Sequence, residues 1–129
     1  MKRSRLPILL GTLAVVALVG ASAAAGPTVS KRVLGETEGA AVLVIQVTAT
    51  EGSVFGVTIE DASGSMFDVV APNGWVGITS GGKTLFRTDE KPIRAGSRLA
   101  FRVLTTNKDA GLTVTFQDAE SIVGVAQTI

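Results

Sequence analysis

The sequence predicts an all-β protein: an antiparallel β-sandwich of seven to nine strands preceded by one N-terminal hydrophobic helix. Three observations carry this. Beyond Pro27 no long segment keeps the apolar period of a helix. Short runs rich in Val, Ile, Thr and Phe recur instead. Gly, Asn, Asp and Ser divide these runs every ~8–12 residues, the turn spacing of a two-sheet fold. An up-and-down barrel is the alternative arrangement of the same strands.

The chain opens with a basic tip, MKRSR, and then carries no charge from Leu6 to Gly26. A basic tip, an apolar run and small residues at its exit are the parts of a secretory signal peptide. Ala21-Ser22-Ala23 and Ala23-Ala24-Ala25 are the candidate cleavage sites, which places processing around Ala23 and Ala25. The run is also long enough to span a bilayer, which takes ~20 residues, so an uncleaved membrane anchor is the competing expectation. Either way the basic tip stays inside and the rest goes out. A pilin-type leader cut behind the tip is disfavoured by Arg5 and Pro7. The expected organisation is a signal peptide or anchor over 1–26, a linker or edge strand over 27–39, and a sandwich domain over 40–129.

Thr28–Leu34 is a weak edge strand. Ala41–Thr50 is nearly continuous in apolar residues, as for a central strand covered on both faces. Val54–Asp61 alternates, with Phe55, Val57 and Ile59 on one side. Ser65–Ala71 follows a Gly/Ser turn, and Trp75–Thr79 and Thr84–Thr88 flank SGGK. Arg98–Thr105 aligns Leu99, Phe101 and Val103, and Leu112–Asp118 aligns Leu112, Val114 and Phe116. Ile122–Thr128 closes the sheet.

Composition narrows the chemistry. With no Cys, the fold must rest on its apolar core rather than on disulfides. With no His, the commonest general base and zinc ligand is missing. Three of the 12 basic residues stand in the first five positions, which leaves nine against 11 acidic ones, a net −2. That balance does not fit a nucleic-acid binder.

Gly77–Thr84, GITSGGKT, matches the phosphate-loop pattern G-x-x-x-x-G-K-[ST]. The pattern works only where a strand passes into a helix whose N-terminus holds the phosphates. Here TLFRTDEKP follows, and Pro92 would stop a helix after about two turns. Ser80-Gly81-Gly82-Lys83 is instead expected to be a hairpin tip. Glu60/Asp61, Asp89/Glu90 and Asp118/Glu120 are loose carboxylate pairs without the ligand spacing of a calcium loop or a glycosidase pair. No catalytic constellation, metal site or cofactor is expected. Trp75 follows the turn Pro72-Asn73-Gly74. It caps the core, or it is exposed and contacts a ligand or carbohydrate.

Ala71-Pro-Asn-Gly-Trp75 and Lys91-Pro-Ile-Arg-Ala-Gly-Ser-Arg-Leu-Ala-Phe101-Arg-Val103 together resemble the immunoglobulin-like and cohesin-like β-sandwich modules of archaeal and bacterial surface proteins. The resemblance runs from about residue 40 to 125 and concerns fold more than function. It implies a non-enzymatic extracellular or cell-surface protein for adhesion, surface assembly or protein–protein interaction. A filament subunit that adds its Thr28–Gly39 segment to a neighbour is one alternative, and a carbohydrate-binding module is another. The expected partners are other surface proteins, further copies of the chain or polysaccharide, with membrane contact only through an uncleaved N-terminal segment.

Overall fold

In the computed structural model, residues 26–119 and 122–129 are described. The expected N-terminal helix, Ala23 and Ala25 lie outside them. Nine strands form among the described residues: β1 Thr28–Thr37, β2 Ala40–Thr48, β3 Gly56–Asp61, β4 Met66–Val70, β5 Val76–Ser80, β6 Lys83–Arg87, β7 Arg98–Thr105, β8 Leu112–Gln117 and β9 Ile122–Thr128. They make two sheets with every pair antiparallel, one ordered β9-β8-β3-β6-β5 and the other β1-β2-β7-β4. Two sheets with free edges, rather than one closed sheet, make this a sandwich and not a barrel.

Alternation fills the space between the layers. Leu43, Ile45 and Val47 of β2 and Phe101 and Val103 of β7 meet Val57 and Ile59 of β3, Phe86 of β6, and Leu112, Val114 and Phe116 of β8. Phe86 and Phe101 touch across the layers with ring centroids 4.7 Å apart. The two sheets are also tied at their edges. On one side Lys31 Nζ of β1 donates to the carbonyls of Ala110 and Ile129, and Gln127 Nε2 of β9 donates to that of Pro27. On the other side β4 and β5, joined by the 71–75 turn, are neighbours across the sandwich.

Three expectations change. The Thr28–Gly39 run is not a free segment: β1 pairs with β2 from Thr28 to Thr37, through a bulge near Gly35. β2 is covered fully on its inner face only. On its outer face Val44 alone is buried, flanked in register by Arg32 and Arg102, whose aliphatic stems are long enough to lie over it. The alternation of Val54–Asp61 breaks at its start, where Val54 is buried and Phe55 is only half-buried. There the chain is crossing between sheets, and Val54 exchanges two backbone hydrogen bonds of 2.9 Å with Ile93.

Candidate functional site

GITSGGKT is a two-residue hairpin. Gly81 and Gly82 both have positive φ, +60° and +79°, the backbone a primed turn requires, and Lys83 opens β6. Lys83 Nζ pairs with Glu60 at 3.4 Å on the outer face of the sheet. No helix starts here, so there is no N-terminus to hold phosphate.

The hairpin tip docks on the backbone of a residue whose carboxylate is buried. Asp61 is 4% exposed, and its N–H donates to the Gly82 carbonyl at 2.7 Å. Its Oδ1 accepts from Ser63 N at 2.9 Å and Ser63 Oγ at 2.6 Å, and its Oδ2 accepts from Ser65 N at 3.0 Å. Burial pushes the Asp61 carboxyl up, but these hydrogen bonds together with one from the Met66 backbone outweigh it and hold the carboxyl below its ordinary range. Asp61 is thereby committed to locking the turn between β3 and β4.

Trp75 takes the core position. It is 7% exposed, packs edge-on against Phe101 with centroids 5.0 Å apart, and donates from Nε1 to the Lys91 carbonyl at 2.9 Å. At that burial most of the ring faces the core, and Trp75 also lines a cleft with Asn73, Pro92 and Arg94. Its hydrogen bond positions the 88–91 loop. Thr88 completes the tie, donating from Oγ1 to the Gly74 carbonyl at 2.7 Å and accepting from Lys91 N at 3.0 Å.

That loop walls a cleft of about 460 Å³ on the outer face of β5 and β6. Its floor is Val76, Ile78 and Leu85, and its rim carries Arg87, Asp89, Glu90 and Lys91. Ile78 and Leu85 are directly opposite in register. Val76 and Ile78 are 65% and 62% exposed, the largest values among the exposed large hydrophobic residues that the structure describes. On the adjoining edge of the other sheet, Phe67 and Val70 of β4 are exposed as well. Among the described residues, five of the seven exposed large hydrophobic ones therefore lie along the β4–β5 edge and the neighbouring β6. The other two, Val33 and Leu34, lie on β1 at the opposite edge. Scattered exposed apolar residues are ordinary, whereas Val76, Ile78 and Leu85, which share one cleft rimmed by charge, mark a contact surface. Among the described residues no three His, Cys, Asp or Glu side chains stand close enough together to hold a metal ion.

Sequence reasoning missed this surface. Its signal was present in Val76-Gly77-Ile78, where the small residue alternates with two large apolar ones.

The fold and this edge define an immunoglobulin-like β-sandwich with an exposed apolar margin. No protein-family model matches the chain, and no curated protein matches it in sequence. Among solved structures, it is similar to an uncharacterized protein from Nocardia farcinica described as having an immunoglobulin-like fold, with a TM-score of 0.59 and 12% identity over 78% of this chain and 81% of that one. It is also similar to part of a GH20 exo-β-N-acetylglucosaminidase from Vibrio harveyi, with a TM-score of 0.52 and 9% identity, covering 80% of this chain but 17% of the enzyme. A third similarity is to the chitin-binding domain of a chitinase from Pyrococcus furiosus, with a TM-score of 0.49 and 10% identity over 76% of this chain and 92% of that domain. At such identities the likeness is one of fold. The immunoglobulin-like sandwich that the sequence resemblance implied is the fold of this chain.

Proposed function

We propose that this chain is a non-catalytic interaction module of the cell exterior that takes a protein partner along its β4–β5 edge. The observation that carries the reading is the exposure of Val76, Ile78 and Leu85 on the floor of one charge-rimmed cleft, beside the β4 edge on which Phe67 and Val70 are also exposed. Protein interfaces centre on such apolar anchors inside a polar rim. The basic tip and uncharged run at the N-terminus support export. The absence of His and Cys from the sequence supports a binding role over a catalytic one.

Self-association is the second reading. Val33 and Leu34 on the opposite edge are what favour it, since two unlike apolar margins on one molecule allow head-to-tail contact between copies. Such a contact would form between folded edges, because β1 is already paired in its own sheet.

A double substitution, Val76→Lys with Ile78→Lys, tests the proposal in the native host. Both side chains point outward, so the fold is expected to survive, as checked by Trp75 fluorescence. The variant is expected to reach the cell exterior and to lose its association with the surface fraction. Retention of the variant at the wild-type level, or recovery of the wild type in the cytoplasm with an intact leader, would contradict the proposal.

A further inference from the structure

The outer face of the four-stranded sheet differs in chemistry from the apolar edge. Register places Arg32, Val44, Arg102 and Val70 in one row across β1, β2, β7 and β4. The next row on this face holds Ser30, Gln46 and Ala100, and the one after it Thr28, Thr48 and Arg98. Arg32, Arg98 and Arg102 are all exposed, and none is ion-paired with a described residue. Asp68, at the β4 edge, is the one acidic side chain in the strands of this sheet apart from Glu36 near the far end of β1. The chain beyond its basic tip carries net −2, whereas the strand residues of this face carry three arginines against Asp68 at the edge and Glu36 at the far end.

Strand geometry sets the spacing. Arg32 and Arg102 flank β2 at roughly 10 Å, two strand separations, and Arg98 and Arg102 are about 13 Å apart along β7. Val44, between Arg32 and Arg102, is buried, and the row separating that pair from the row of Arg98 is flat ground of Ser30, Gln46 and Ala100, without an aromatic or large aliphatic side chain. A protein partner is held chiefly by apolar anchors, and single-stranded nucleic acid by aromatic stacking. That central ground supplies neither. It supplies amide and hydroxyl groups suited to sugar hydroxyls, framed by guanidinium groups suited to carboxylates.

We infer that this face binds an acidic polysaccharide, with Arg32, Arg98 and Arg102 pairing with uronate carboxylates and Gln46 and Ser30 bonding to the sugar hydroxyls between them. The site lies on the other sheet from the Val76–Leu85 cleft and does not depend on it. One molecule could then hold a polymer on one face and a protein at its margin.

The test is calorimetric titration of the protein, purified from its native host, with polygalacturonate at low ionic strength. Dextran and polyglutamate are run in parallel. Binding to polygalacturonate alone is expected, and it should weaken as salt is added. The triple variant Arg32→Gln, Arg98→Gln, Arg102→Gln keeps side chains long enough to cover Val44, and it should bind on the order of tenfold or more weakly. A control that removes equal charge elsewhere, Lys83→Gln, Arg94→Gln, Lys108→Gln, should bind as the wild type does. The inference is overturned if polygalacturonate does not bind, if polyglutamate binds as tightly, or if the control loses as much affinity as the arginine variant.

Discussion

Asp61 shows how one side chain can look functional and be architectural. A carboxylate that is 4% exposed, with two serines in contact, has the ingredients of a catalytic site. Its oxygens are instead occupied by backbone and hydroxyl donors of its own turn. Because its folded-state carboxyl is held below the ordinary range, the unfolded chain binds more protons in the window between the two values. Stability from Asp61 is therefore fully present above the ordinary Asp value of about 3.9 and is lost as pH falls through the depressed one. Urea midpoints measured downward from about pH 5 should fall more steeply for the wild type than for Asp61→Asn. Equal slopes would show that the carboxylate contributes nothing. The donors to its carboxylate are local, Ser63 and Ser65, whereas the docking of the β5–β6 tip was not legible, because the Gly82 carbonyl that accepts from the Asp61 N–H comes from a different hairpin.

The β5–β6 hairpin is where local sequence was most and least informative. Its tip was legible, since two consecutive glycines between strand-forming runs specify a primed turn. The two glycines nonetheless differ. A Cβ on Gly81 meets open space, whereas one on Gly82 would lie 2.5 Å from the Asp61 carbonyl oxygen and 3.0 Å from the Gly64 Cα. Gly81→Ala should cost about 1–2 kcal/mol from backbone strain alone. Gly82→Ala should cost roughly 2–4 kcal/mol, because strain is joined by a clash with main-chain atoms that cannot move aside cheaply. Denaturant unfolding of the two variants measures the difference, and equal losses would contradict the docking of the tip. The facing of β5 was not legible. Apolar-inward alternation would send Val76 and Ile78 to the core, yet Gly77 is the residue that faces it. The Phe86 ring is the reason: its Cε1 would lie 2.8 Å from a Cβ at position 77. Trp75 was ambiguous for a similar cause, since its partners, Phe101 and the Lys91 carbonyl, come from distant parts of the chain.

For the whole molecule, strand order decides what the periodic pattern alone could not. Alternation in β7 and β8 identified the core residues Phe101, Val103, Leu112, Val114 and Phe116 directly. It could not say that β4 and β5 would lie side by side as free edges, so that the strand exposing Phe67 and Val70 stands beside the one exposing Val76 and Ile78. Nor could it bring Arg32 into the same row as Arg102, which takes the pairing of β2 with both β1 and β7. The account assigns contact with a protein to the β4–β5 edge, and photo-crosslinking in the native host tests this most directly. A photoreactive residue is placed at Ile78, on the cleft floor, and separately at Thr115, in the inner strand β8 of the same sheet. The account predicts a discrete protein adduct from position 78 and none from position 115. Adducts of equal yield from both positions, or none from position 78, would contradict it.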